Sequence, residues 1–296
     1  MGTTRILIKR NIKLFFKDKG MFLTSLITPL ILLVLYATFL GNVYEDSFLM
    51  SMPKGLDIPQ RLIDGYVGGQ LISSILAVSC VTVAFCSNML MVQDKANGCI
   101  KDLYVSPVKK SKLAISYYFA TLSATLIICF VATAVCLIYI AFIGWYLSIG
   151  DVLLIILDVF LLVMFGTALS SVINFFLSTQ GQISAVGSII SSVYGFICGA
   201  YMPISQFSKG LQTVVKFLPG TYGTSLLRNH AMGGVFKGLE IEGVPTEVVD
   251  MIKETVDCNL TLFDNQISIG TMYTVLTVTV AVLIVMYVLL NKFRKN

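Results

Sequence analysis

The sequence predicts an all-α integral membrane protein built on six membrane-spanning helices. Three observations lead there. Of its 296 residues, 56% are hydrophobic and only 12% charged, whereas a soluble domain is about 45–50% apolar and about 25% charged. Six apolar segments are each long enough to cross the hydrocarbon, which takes roughly 20 residues for about 30 Å. The basic residues crowd beside alternate connections between these segments, a pattern that orients a membrane protein; the net charge of +5 therefore needs no nucleic acid partner.

The N-terminal arm comes first. Across residues 3–19, Ile6, Leu7, Ile8, Ile12, Leu14, Phe15 and Phe16 interleave with Arg5, Lys9, Arg10, Lys13, Lys17 and Lys19. That pattern predicts an amphipathic helix lying in the membrane interface, its cations among anionic headgroups; a plain basic patch that only sets topology is the alternative. The six spans follow at about 21–43, 66–92, 113–143, 151–177, 183–202 and 268–290. Lipid leaves the backbone polar groups no outlet other than a helix or a closed barrel, and no dyad alternation is present. The first span has a polar, basic run before it and no small-residue cleavage site after it, so it reads as a retained helix and not a signal peptide.

Lys95, Lys101, Lys109, Lys110 and Lys112 of the second connection and Lys292, Arg294 and Lys295 of the tail fall on the same side as the basic arm. The first connection is acidic, with Glu45, Asp46, Asp57 and Asp64, and so is the last. Both termini are thus expected in the cytoplasm of a cell membrane. Within the outer segment 203–265, residues 203–218 are too short and too polar to span, and are expected to dip into or lie on the outer leaflet. The remainder, from 229, is expected to form a small cap with one amphipathic helix near Thr246–Val256, N-capped by Thr246.

Several functions are excluded by what is missing. No Gly-rich loop ending in Gly-Lys-Ser/Thr is present, no Cys/His spacing suits a metal, and the single histidine, His230, falls in the outer connection without a nucleophile beside it. Leu177 to Gln182 reads as a turn between spans. Of seven cysteines, Cys80, Cys86, Cys129, Cys136 and Cys198 lie in apolar runs, while Cys99 and Cys258 fall on opposite sides, so no disulfide framework is expected. The chain is therefore expected to have no catalytic or metal-binding residues and to bind no cofactor itself.

The cytoplasmic connection 93–110 carries the most specific pattern. Lys101 to Tyr104 can form a short surface helix that Ser106-Pro107 ends, because proline restricts the residue before it. Asp94-x3-Gly98, followed by Lys101-x-Leu103-x2-Ser106-Pro107-Val108, resembles the coupling segment of ABC-2 type transporter permeases. Gly199-x2-Met202-Pro203, then Pro219-x-Thr221-Tyr222 and Leu227-Arg228, is similar to that family's stretch after the fifth span.

The resemblance implies one membrane domain over residues 1–296: the permease subunit of an ATP-driven exporter of a drug-like, antimicrobial peptide or lipid-linked substrate. It implies two copies of an ABC ATPase subunit, which hold ATP and Mg, and a second permease, identical or homologous. Asp94, Gly98, Lys101, Asp102, Leu103, Tyr104, Ser106 and Pro107 would then transmit ATPase closure to the spans.

Four further features are open to two readings each. Asp158, an acidic residue inside a span, is a functional candidate by default; it lines a substrate path or gate, or reaches the outer headgroups. Phe39, Tyr66, Phe85 and Tyr194 line that path or pack. Gly187, Ser191, Gly195 and Gly199 recur at every fourth residue and let a helix approach closely, either within the chain or across a permease dimer. A stand-alone ion-coupled secondary transporter or channel is the rival function, and it would centre on Asp158.

Overall fold

The computed structural model describes residues 2–52, 58–106, 108–262 and 265–293. The side chains of Thr28, Ala37 and Tyr104 lie outside that description, as do Asp57, Pro107, Arg294 and Lys295 among the residues singled out above. The chain runs α1 (Gly2–Lys17), α2 (Lys19–Leu35), a π-helical turn (Tyr36–Leu40), α3 (Gly41–Ser51), α4 (Gln60–Ser87), α5 (Met89–Ala96), α6 (Cys99–Val105), α7 (Lys110–Ile143), α8 (Ile149–Phe176) and α9 (Gln180–Ile197). A 3₁₀ turn (Ile204–Gln206) follows, then α10 (Lys209–Lys216), α11 (Pro219–Ile241), α12 (Thr246–Thr255), a two-residue hairpin β1 (Thr261–Leu262) with β2 (Asn265–Gln266), and α13 (Ile269–Phe293).

Among the described residues, five helical stretches are long and apolar enough to cross a membrane: Lys19–Ser51, Gln60–Ala96, Lys110–Ile143, Ile149–Phe176 and Ile269–Phe293. They fall where five of the six spans were expected. The segment expected at 183–202 is α9, an 18-residue helix of about 27 Å at 1.5 Å per residue, whose first turn is made polar by Gln180 and Gln182. Thr179 and Gln182 close a capping box at its start, so the turn after α8 is a helix N-terminus.

α4 is the axis of the bundle. Nearly every residue on it is buried, with α2, α7, α8 and α11 packed around it. α8 comes close because Gly166 has no side chain: a Cβ there would stand 2.9 Å from the Cys80 carbonyl oxygen and from the Val81 Cα. α1 rests on α7 through a face narrower than its sequence suggests, Leu7, Asn11 and Phe15, while Ile6 and Phe16 stay exposed. Asp18 caps α2 through the Met21 amide, which sets the corner between the basic arm and the first span.

The outer connection departs from expectation. Residues 219–241 are not loop but a 23-residue helix, α11, driven into the bundle against α4, α8 and α13. Arg228, Asn229 and His230 interrupt its apolar run, which hides it from a hydropathy window. Gly220 and Gly223, against Tyr194 and Leu162, let it in, and Leu226, Leu227, Met232 and Leu239 fill the core. The amphipathic helix of the cap forms as α12, with Pro245 and not Thr246 at its N-cap.

Candidate functional site

The bundle's basic end carries the segment whose pattern stood out. α5 stops at Asn97, and Gly98, with φ +79°, takes the left-handed turn that side-chain-bearing residues rarely adopt. α6 then lies as a short helix with Ile100 buried and Leu103 half-buried beneath it, while Lys101 and Asp102 face outward and Val105 is 88% exposed. The Ser106 hydroxyl donates to the Leu103 carbonyl at 2.6 Å and closes the last turn. The Tyr104 side chain and Pro107 lie outside the described residues.

Asp94 is not on this outward face. It is buried, takes an ion pair from Arg10 at 2.9 Å and accepts from the Tyr117 hydroxyl at 2.5 Å. The root of α6 is thereby tied to α1 and α7. The hydrogen bond to Asp94 raises the Arg10 pKa further, against the opposing effect of partial burial. Lys95, one residue on, donates to the carbonyls of Asn174, Phe175 and Leu177 at 2.8, 2.8 and 3.0 Å, supplying a cation and donors to the C-terminus of α8. About two turns earlier, the Asn88 amide donates to Ser170 and Ser171 and accepts from Thr121. α5 thus enters α6 with three neighbouring helices bound to it.

A cleft of about 1120 Å³ opens on the flank of the bundle between the first span and α9. Its wall is the π-helical turn, where the extra residue per turn re-aims the side chains; Phe39 projects 65% exposed and lines it together with Tyr36 and Tyr44. Tyr66 and Gln70 of α4 make the floor, and Gly187 and Ser191 of α9 the far side. The Gln70 amide and the Tyr44 hydroxyl are buried beside each other, and among the described residues neither makes a hydrogen bond of good geometry, a costly state for a polar group. Tyr36 donates to the Ala200 carbonyl at 3.1 Å.

Phe39 and Tyr66, from the expected aromatic path, therefore meet in one cleft. Phe85 and Tyr194 do not: both are buried, and Tyr194 packs on Gly220. The small-residue stripe also divides. Gly187 and Ser191 face the open cleft. Gly195 is covered by the Tyr201 ring, 2.3 Å from where a Cβ would sit, and Gly199 turns the chain at φ +73°.

Asp158 lies in the core rather than in the cleft or at an interface. It is 1% exposed, 2.6 Å from His230 Nδ1 and 2.6 Å from the Tyr273 hydroxyl. His230 was read as a loop residue; α11 carries it into the bundle. Arg228, two residues earlier and on the opposite face of the helix, pairs with Asp257 at 3.0 Å and donates to the carbonyls of Val256 and Gly199. Asp257 also accepts from the Ile204 amide, so this knot fixes the cap to the turn after α9. Sequence reasoning missed both pairs. The available signal was a 22-residue stretch after Pro219 free of further proline, with its polar residues set among apolar ones at helical spacing.

A family model described as ABC-2 type transporter matches residues 3–231. The match takes in α1, the helices through α9, the coupling-like segment and most of the cleft's lining, and it ends one residue past His230. No curated protein matches the chain significantly.

Proposed function

Because the chain belongs to the ABC-2 type transporter family, and so is the membrane part of an ABC transporter, we propose that it is the permease subunit of an ATP-driven exporter with both termini in the cytoplasm. Two such permeases would enclose a path for a drug-like, peptide or lipid-linked substrate, and two ATPase subunits would supply the energy. The observation that carries this reading is α6, a short helix that shows Lys101, Asp102 and Val105 outward and is rooted through Asp94, Lys95 and Asn88 in α1, α7 and α8. A push on its outer face reaches several spans at once. Such a push shifts the bundle between inward- and outward-open states only in so far as the partner binds them with different affinity.

The cleft supports a pathway along the first span and α9 that a second permease completes. α2 and α9 expose Ile27, Ile31, Leu35, Ile189 and Val193 beside it, and Gly187 and Ser191 permit a close approach there. Asp158 supports the rival, ion-coupled transporter less well, since the carboxylate is fully engaged by two side chains.

The test is purification of the chain from its host in mild detergent, with the co-purifying proteins identified and ATP hydrolysis assayed. A stoichiometric P-loop ATPase, lost when Asp102 and Tyr104 are replaced by alanine, is expected. A chain that purifies alone and transports under an ion gradient overturns the reading.

A further inference from the structure

The lining of the cleft between the first span and α9 narrows what it can hold. Among the described residues, none of the side chains around it is Asp, Glu, Lys, Arg or His. One turn of α4 beyond Gln70, Ser74 meets Arg228, but that cation is fully buried and neutralised by Asp257 at 3.0 Å. A charged group entering the cleft would give up water and meet no free counter-ion, a costly exchange in an apolar surrounding.

The walls are apolar and long. Ile27, Ile31, Leu35 and Phe39 of the first span stand exposed along one side. The other side follows α9 from Ser184 to Phe196, about 18 Å at 1.5 Å per residue. A volume of about 1120 Å³ slightly exceeds the range of about 300–1,000 Å³ that drug-sized ligands occupy, and it suits an elongated apolar body.

The floor is the polar exception. Gln70 is 1% exposed and carries two donors and an acceptor, and the Tyr44 hydroxyl beside it can donate and accept. Neither makes a hydrogen bond of good geometry among the described residues, while Tyr36 is committed to the Ala200 carbonyl. Even paired with each other, the amide and the phenol keep unused positions. A hydroxyl or amide, which both donates and accepts, matches them. An ionised carboxylate only accepts and an ammonium donates at most, so each leaves part of the floor unmet.

We propose that the cleft binds an uncharged amphiphile, with its hydroxyl or amide head on Gln70 and Tyr44 and its apolar body along Phe39 and the exposed face of α2. That this molecule is the transported cargo rests on the exporter reading; that it binds does not.

The test uses three photoreactive probes that share one alkyl tail and differ in the head: a primary amide, a carboxylate and a trimethylammonium. Each is cross-linked to the full chain in lipid nanodiscs, and the labelled residues are located by mass spectrometry. The amide probe is expected to label Phe39 and its cleft neighbours saturably, about tenfold or more tighter than either charged probe. Gln70→Leu should weaken it about fivefold, the contribution of roughly one hydrogen bond. Ser188→Trp, on the exposed side of α9, should exclude it by filling the cleft from outside the core. Equal labelling by the three heads, or labelling that Ser188→Trp leaves unchanged, overturns the site. An affinity that Gln70→Leu leaves unchanged overturns the role of the floor.

The second readout is ATP hydrolysis by the chain with its co-purified ATPase, which the amide probe should stimulate and the charged probes should not. No stimulation by the amide probe, or stimulation by a charged one alone, overturns the cargo class and leaves the exporter standing. Because the labelling needs no ATPase partner, a chain that proves not to be a pump subunit fails the earlier reading without touching the binding result.

Discussion

Replacing Arg10 by alanine strands a carboxylate. Asp94 is buried and keeps one donor, the Tyr117 hydroxyl, once the guanidinium is gone. A hydrogen bond to a charged group contributes about 1.5–3 kcal/mol, but Arg10 is 34% exposed, and solvent screening places its share near the lower end. Arg10→Ala should therefore cost about 2 kcal/mol. Asp94→Ala should cost less, about 1 kcal/mol, because the freed guanidinium turns to water and only the Tyr117 hydroxyl is left buried. The double variant removes both halves together, so its cost should fall short of the sum by about 1 kcal/mol, roughly a fivefold difference in equilibrium constant. The assay is equilibrium unfolding of the four proteins in mixed micelles. Asp94→Asn should meanwhile keep the ATPase bound, since the outward face of α6 does not include residue 94. Costs that add within about 0.3 kcal/mol would refute the reasoning that this pair holds α1 to the root of α6.

Three further outcomes are expected. Gly166→Ala places a Cβ 2.9 Å from the Cys80 carbonyl oxygen and the Val81 Cα and should destabilise the bundle by about 1–3 kcal/mol, read as a lower melting temperature; an unchanged melt means that α8 does not sit this close to α4. Gln70→Leu removes a cleft-floor amide that makes no hydrogen bond of good geometry among the described residues and should stabilise the resting chain by about 1 kcal/mol while changing transport; a loss of stability would show that the amide serves the neighbouring Tyr44 hydroxyl. A membrane-impermeant maleimide should label exposed Cys99 from the cytoplasmic side and label nothing from outside, because Cys258 is buried and its thiol pKa is pushed up to about 12 by burial. Labelling of Cys258 at neutral pH in intact cells would contradict the packing of the cap.

Five long apolar helices, the arm helix and the short helix 99–105 were legible without coordinates, because each declares itself in consecutive residues. An apolar run of spanning length, a basic–apolar alternation and a Ser-Pro stop are all local patterns, and lipid allows the backbone few alternatives. The motif holding Asp94 was legible too, though not the direction of its side chain. A carboxylate beside a solvent-exposed helix gives no sign along the chain that Arg10, 84 residues away, will take it inside.

α11 marks where local patterning stops. Its mean polarity lies between that of the basic arm and that of the long apolar helices, and only the placement of Arg228 toward Asp257 and of His230 toward Asp158 turns its polar residues into core. The cleft likewise depends on a π turn in the first span and on how far α9 stands from it, neither of which a sequence window registers. The sequence by itself determined the solvent and the places of five long apolar helices, since these follow from summed transfer free energies along consecutive residues. The tertiary structure alone decided which buried charges meet. A pair such as Asp158 and His230 is set by the approach of two helices far apart in the chain, and burial lets such a charge exist only where that approach supplies its partner.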